Sequence, residues 1–331
     1  MVAVGISIGV LLQRGAVSSS SNSSSSSPSS SSSSSSNHSR THRSNSAAAA
    51  AAEKQGYALA DVVAGHSISQ LEKESTKDDP VALVRDGLFL KPVQSDVRGR
   101  REVSFYESPS NTASDSIPHY NGCEIIGGTS YLRLNDVEKN FIHPCTIDIK
   151  VGRQTWAPGA TPAKMERARK KWKNMQQTAT AVCGMKVYRP VTSSYLRLGK
   201  KYGRSLGKNG MLHALTSFLH NGHVVRVDVI ANLIRLLAER RSWLEKTCKY
   251  VCYSMSVLLV YDGDDGSTVN KGEEERPRVV FVDFAHSFLN DTTTDDGEHA
   301  QQKLGCLAGI DHVIESLIMI RSLYEEEKVE D

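Results

Sequence analysis

The reading turns on Pro144-Cys145-Thr146-Ile147-Asp148-Ile149-Lys150-Val151-Gly152. Apolar and polar residues alternate from Thr146 to Val151, which predicts a strand closed by Gly152. On a strand, Asp148 and Lys150 project from the same face. A carboxylate and an ammonium held side by side suit nucleotide or phosphate handling, because the lysine can neutralise charge that develops on a transferring phosphoryl group. An exposed strand face with a surface ion pair carries the same residues, so the pair alone leaves both readings open.

Toward the C-terminus, Val279-Val280-Phe281-Val282 is an apolar, β-branched run followed by Asp283-Phe284-Ala285-His286. An acidic residue directly after a buried strand lies at the carboxyl edge of its sheet. Mg²⁺ is held by one or two such carboxylates together with substrate phosphates, and the context is similar to the metal-holding D-F-G position of protein kinases. The plainer alternative is an aspartate that caps a turn. Between these blocks, residues 161–175 read as a strongly basic helix. Lys164, Arg167 and Lys171 are spaced i, i+3, i+7 and share a face, with Arg169 and Lys170 beside them. A cationic stripe can bind several phosphates of one small molecule; a solvated helix face or an import signal has the same composition.

The remaining pattern gives a β-rich front and an α+β remainder. Residues 81–84 and 88–91 read as a hairpin about Asp86-Gly87. A helix is predicted over 98–106, strands over 131–134, 257–261 and 279–282, and helices over 211–219, 229–243 and 308–324, with a polar acidic loop at 262–278.

The 331 residues carry a net charge of +3, with 39% hydrophobic and 23% charged residues. Residues 17–46 are almost pure serine and 47–52 are alanine, a composition without enough apolar surface to order itself. That leaves roughly 275 residues for folding. Collagen, a disulfide scaffold and a multi-pass membrane protein are excluded, and the charge is too small for a dedicated nucleic-acid binder. Cys123, Cys145, Cys183, Cys248, Cys252 and Cys306 form no C-x-x-C pair and match no zinc spacing, so free thiols in a reducing compartment are expected. Residues 1–12 are apolar but lack a basic leading segment, so a secretory signal is not expected. There is no G-x-x-x-x-G-K-[ST] and no H-R-D-x-x-x-x-N. Gly203-Arg204-Ser205-Leu206-Gly207 fits G-x-S-x-G, but polar Gly199-Lys200-Lys201-Tyr202 precedes it where a nucleophile elbow needs an apolar strand.

Together these residues resemble the inositol polyphosphate kinase family, whose P-x-x-x-D-x-K-x-G signature is complete at 144–152. Further blocks follow in family order: Val63-Ala64-Gly65-His66; Leu90-Lys91-Pro92 with Arg98-Gly99, Glu102 and Phe105-Tyr106-Glu107; the hinge-like Leu134-Asn135-Asp136-Val137; Tyr202-Gly203-Arg204-Ser205-Leu206; His220-Asn221-Gly222; and Asp283-Phe284-Ala285-His286. Short connections favour the multikinase branch, whereas Cys183-Gly184-Met185-Lys186-Val187-Tyr188 also resembles the hexakisphosphate kinases.

The resemblance implies an α+β, two-lobed kinase-like fold related to ATP-grasp enzymes and protein kinases, with antiparallel sheets and a short helical inositol-phosphate-binding segment. Residues 1–56 would be a disordered tail, 57–137 an N-lobe with the nucleotide lysine and hinge, and 138–331 a C-lobe with the substrate helix 161–175 and a metal site. It implies that Lys91, positioned by Glu102, contacts the nucleotide phosphates, that Asn135 and Val137 meet adenine, and that Asp148 holds the ribose. Lys150 would stabilise the transition state beside the γ-phosphate and accepting hydroxyl. Asp283, with Ser256, would ligate Mg²⁺. Arg98, Lys150, Lys164, Arg167, Lys171 and His286 would contact the inositol phosphate. Asn135 departs from the usual hinge glutamate, and Met255-Ser256-Val257-Leu258 from the usual S-S-L-L.

The implied reaction is ATP-dependent phosphorylation of ring hydroxyls, taking inositol trisphosphate to tetrakis- and pentakisphosphate. The alternatives are a hexakisphosphate kinase making pyrophosphates and a non-catalytic phosphoinositide-binding scaffold. The expected cofactors are ATP and Mg²⁺, and the expected partners are inositol polyphosphates, with phosphoinositide lipid left open. Neither direct nucleic-acid binding nor a transmembrane segment is expected. A monomer in nucleus or cytoplasm is.

Overall fold

The computed structural model describes residues 52–63, 80–112, 114–263, 277–290 and 297–326. The Ser-rich tail, most of the Val63–His66 block and most of the acidic loop lie outside the described residues. In chain order the elements are β1 (Ala58–Leu59), β2 (Leu83–Arg85), β3 (Leu88–Pro92), α1 (Val97–Glu107), β4 (Tyr120–Ile126), β5 (Thr129–Asn135), β6 (Pro144–Val151), α2 (Pro162–Lys171), β7 (Thr180–Arg189), β8 (Ser194–Leu198), α3 (Lys200–Ser205), α4 (Gly210–Leu219), α5 (Ile230–Lys246), β9 (Tyr250–Cys252), β10 (Ser256–Asp262), β11 (Arg278–Val282), β12 (Ser287–Leu289) and α6 (Glu298–Glu326).

Two five-stranded sheets, β1-β2-β3-β5-β4 and β11-β10-β6-β7-β8, carry the fold, with β9 and β12 as a separate pair. Every pairing is antiparallel. This is the α+β, kinase-like arrangement of antiparallel sheets that the resemblance implies. No helix among the described residues is long and apolar enough to cross a membrane. All six cysteines are free, and all but Cys123 are buried.

The first sheet begins at the expected hairpin. Asp86 (φ 53°) and Gly87 (φ 76°) both adopt left-handed backbone, as a two-residue hairpin turn requires. The second sheet is organised by β6, which lies between β10 and β7. Its period-2 pattern is resolved into two faces. Cys145, Ile147, Ile149 and Val151 are fully buried in the main core with residues of α4 and α6. Thr146, Asp148 and Lys150 occupy the opposite face.

The elements that sequence reading leaves out have physical reasons. In β4, the register shifts between Tyr120 and Cys123, which breaks its alternation. Strand β7 is internal and its first eight residues are all buried, so it has no alternation to read. The basic helix is shorter than 161–175: it ends at Lys171, where Trp172 leaves helical geometry (φ −126°, ψ 70°) and becomes buried with Met175, Ala181 and Cys183. Helix α6 starts ten residues before the predicted 308, because its polar first turns are held by specific bonds rather than by an apolar stripe. Gln302, only 3% exposed, donates from Nε2 to the Cys252 carbonyl at 3.0 Å.

Candidate active site

A cleft of about 1160 Å³ is lined by residues of both sheets. Phe89, Lys91 and Leu134 line it from the first sheet, and Thr146, Asp148, Lys150, Leu258 and Val282 from the second. At its base, side chains from distant parts of the chain converge. Lys91 Nζ donates to Glu102 Oε1 and to Asp283 Oδ1, both at 2.7 Å. Lys150 Nζ donates to the Ser254 carbonyl (2.7 Å), to Ser256 Oγ (3.2 Å) and to Asp283 Oδ2 (3.4 Å). One carboxylate therefore joins two ammonium groups.

Each partner is held locally. Asp96 caps α1 by accepting from Arg98 N at 2.8 Å, and α1 in turn carries Glu102, which is fully buried. Glu102 Oε1 also accepts from the Phe284 amide at 3.0 Å, so it touches both Lys91 and the residue after Asp283. The Phe284 ring stacks on Phe105 with centroids 3.8 Å apart. Asp283 has left-handed backbone (φ 71°), a strained conformation for a non-glycine residue.

The electrostatics follow from this packing. Burial would raise the Asp283 carboxyl, but Lys91 and Lys150 outweigh it and hold the group well below the usual carboxylate range. Burial would lower both lysines, yet Asp283 and Glu102 raise Lys91, and Asp283 raises Lys150. Asp148 behaves in the opposite way: desolvation pushes its carboxyl up, only partly opposed by Lys150. Its Oδ1 is buried without a hydrogen-bond partner among the described residues.

The donor set suits a hard divalent cation that shares its coordination with phosphate oxygens. The Asp283 side chain keeps 42% of its surface exposed, Asp148 has an unpartnered oxygen, and Ser256 adds a hydroxyl. Among the described residues, no group of three His, Cys, Asp or Glu could enclose a metal without other ligands.

At and just past the end of β5, Asn135 and Val137 line the same cleft. The Asn135 side chain is engaged by Asn121 (Nδ2 to Oδ1, 2.9 Å) and the Val137 carbonyl by Arg278 (Nη1, 2.9 Å). The Val137 amide has no acceptor among the described residues. Backbone recognition of a flat base is therefore open while the Asn135 side chain serves the sheet.

The cationic side is less uniform than its spacing suggests. Arg98 and Lys171 line the cleft. The pKa of His286 is lowered to about 4 by burial and by the charges of Lys164, Arg98 and Arg101. The ring's Nδ1 is buried without a partner among the described residues. Lys171 is lowered by desolvation and by Arg204 and Lys200. Lys164 and Arg167 are both exposed, and neither they nor His286 are among the residues lining the cleft. Lys200, which also lines it, escapes sequence reading because it opens a six-residue helix with no periodic signal. The G-x-S-x-G segment is no elbow: Ser205 ends α3 and donates Oγ to the Tyr202 carbonyl at 2.7 Å.

Comparison with known proteins agrees with this geometry. The family model for inositol polyphosphate kinase matches residues 131–318. The chain is 31% identical over 229 residues to human inositol polyphosphate multikinase, covering 64% of this chain and 53% of that protein. It is 30% identical over 194 residues to mouse inositol hexakisphosphate kinase 3, covering 56% and 49%. It thus spans about half the length of these relatives. The crystal structure of inositol phosphate multikinase Ipk2 from S. cerevisiae, in complex with ADP and Mn²⁺, superposes with a TM-score of 0.58 at 20% identity, over 70% of this chain and 98% of that one. Because the family model covers more than half of the chain, the signature strand included, the chain belongs to the inositol polyphosphate kinase family.

Proposed function

We propose that the chain is an ATP-dependent kinase of soluble inositol polyphosphates, of the multikinase type, which phosphorylates ring hydroxyls of inositol trisphosphate to give tetrakis- and pentakisphosphate. The observation that carries this reading is the Lys91–Asp283–Lys150 arrangement at the base of a cleft with a hinge at one end and cations at the other. The base of ATP meets the Val137 amide, and Asp148 faces the ribose. Lys91 and Lys150 meet the phosphates, Lys150 beside the accepting hydroxyl. Arg98, Lys164, Arg167, Lys171 and His286 orient the inositol phosphate, with Lys200 as an added contact; of these, Arg98, Lys171 and Lys200 line the cleft. Asp283, with Ser256 and the free oxygen of Asp148, would hold Mg²⁺. When bound, the cation supplies neutralising charge to the nucleotide phosphates. The protein's own contribution is positioning and preorganised charge.

Two features favour pyrophosphate synthesis on hexakisphosphate as a second reading: the Cys183-Gly184-Met185-Lys186-Val187-Tyr188 block and the likeness to hexakisphosphate kinases. Product analysis after incubation with ATP and either inositol trisphosphate or hexakisphosphate decides between them. ATP consumption that no inositol phosphate stimulates overturns both.

A further inference from the structure

One ionic cluster beside this cleft, built on a buried lysine and a half-exposed aspartate, has no part in the reaction just described. Lys186, on β7, is 2% exposed, and its ammonium is shared by two carboxylates. Nζ donates to Glu138 Oε2 at 2.6 Å and to Asp61 Oδ2 at 3.3 Å. Glu138 directly follows the hinge residue Val137, and its other oxygen accepts from Thr146 Oγ1 at 2.5 Å. Asp61 is gripped a second time by Arg197 of β8, with Nη1 and Nη2 at 2.9 and 2.7 Å from its two oxygens.

The cluster joins three stretches of chain that line the same end of the cleft. Residues 59–63 form one part of the lining, Asn135 to Glu138 another, and Thr146 a third. The first stretch leaves β1, is tied to β2 by the Ala60 amide on the Ala82 carbonyl (3.0 Å), and then crosses to the second sheet. There it lies so close to β7 that a Cβ on Gly184 would sit 2.3 Å from the Val63 carbonyl oxygen. The Asp61 and Arg197 side chains are about half exposed, and pairs of that kind add little net stability, as do buried pairs where apolar residues pack equally well. What this one supplies is register between segments that have no common backbone ladder.

We propose that Asp61 is a positioning residue for nucleotide binding: held by Lys186 and Arg197, it fixes residues 60–63 as the side wall of the base-binding end of the cleft and ties that wall to the hinge at Glu138. The inference rests on the nucleotide reading of the cleft given above. It gives Asp61 no contact with the reacting atoms.

The test is ATP binding by calorimetry on the full chain, with steady-state kinetics for each substrate and melting with and without ATP. In Asp61→Ala the Lys186–Glu138 pair remains, so the fold is expected to survive. Its Kd and KM for ATP should rise roughly 5- to 10-fold, the usual scale of coupling between sites, with kcat and the acceptor KM near wild type. ATP should raise its melting temperature less than it raises that of the wild type. Gly184→Ala displaces the same wall by crowding Val63 and should give the same selective loss. Unchanged ATP binding in Asp61→Ala, equal losses for both substrates, or a lower melting temperature with intact ATP affinity would each overturn the positioning role alone. A wild-type chain that binds no ATP sinks the nucleotide reading and this role together.

Discussion

Lys91 Nζ and Asp283 Oδ1 lie 2.7 Å apart although 192 positions separate them in the chain. The contact unites the two sheets through the residues assigned to nucleotide phosphate and metal. Asp283→Asn is nearly isosteric but loses the charge that both lysines share. Lys91 keeps Glu102 and Lys150 keeps the Ser254 carbonyl, so the fold should survive, with a lower melting temperature because the stability carried by the depressed Asp283 carboxyl is lost. Turnover should fall by about 100-fold or more, the scale of a lost electrostatic stabiliser. Near-wild-type turnover at ordinary Mg²⁺ would show that Asp283 does not serve the metal.

Lys164 and Lys171 should set acceptor affinity rather than nucleotide affinity. Each charged hydrogen bond to a phosphate contributes roughly 1.5–3 kcal/mol, equivalent to about 10- to 100-fold in binding. Lys171→Ala should raise KM for inositol trisphosphate by that factor and leave KM for ATP unchanged. Lys164 and Arg167 are both exposed and outside the cleft lining, so Lys164→Ala and Arg167→Ala should each have a smaller effect than Lys171→Ala. Equal acceptor KM values in wild type and Lys164→Ala/Lys171→Ala would remove the helix from the site.

His286 makes stability depend on pH. Its pKa is about 4 in the folded chain against 6.5 ordinarily, so between these values the unfolded chain binds the proton more readily. Its contribution is therefore fully present above pH 6.5 and lost as pH falls toward 4. Melting curves of His286→Asn should show a shallower decline than wild type across this window. Parallel curves would mean that the ring is not the group responsible. Inositol polyphosphate binding should reverse the repulsion from Lys164, Arg98 and Arg101, so proton uptake on binding is expected near pH 6; calorimetry in buffers of different ionisation enthalpy measures it.

Removing residues 1–50 should leave kcat intact, since every assigned residue lies later in the chain. The boundary is sharper than composition suggests. Ala52 is 1% exposed, packs with Tyr57, Leu83, Leu90, Ile126 and Tyr131, and accepts from the Tyr57 amide at 2.9 Å. A chain begun at Gln55 should therefore melt a few degrees lower than one begun at Ala51, as a loss near 1 kcal/mol implies. Identical melting would show that Ala52 adds nothing.

Motif residues that sit close together in sequence are legible there. Asp148 and Lys150 share a strand face, and Asp283 follows an apolar run, because strand periodicity alone fixes both statements. The pairing of Asp283 with Lys91 is not legible, since it depends on how two sheets meet. Strand β7 is hidden by its burial on both faces, and the start of α6 by side-chain bonds that leave no periodic trace. The Lys186–Glu138–Asp61 cluster is hidden for a different reason: its members are scattered charges that each look like ordinary surface residues. Helical spacing puts Lys164, Arg167 and Lys171 on one face, but of the three only Lys171, at the end of α2, lines the cleft.

The Phe105–Phe284 stack, together with the Glu102 bond to the Phe284 amide, makes α1 and the Asp283 segment a single mechanical unit. A rotation of α1 would carry Glu102 and the Asp283 carboxylate in the same movement. Anything that tilts this one helix would therefore disturb both carboxylate partners of Lys91 at once, while the other side chains that line the cleft stay unaltered.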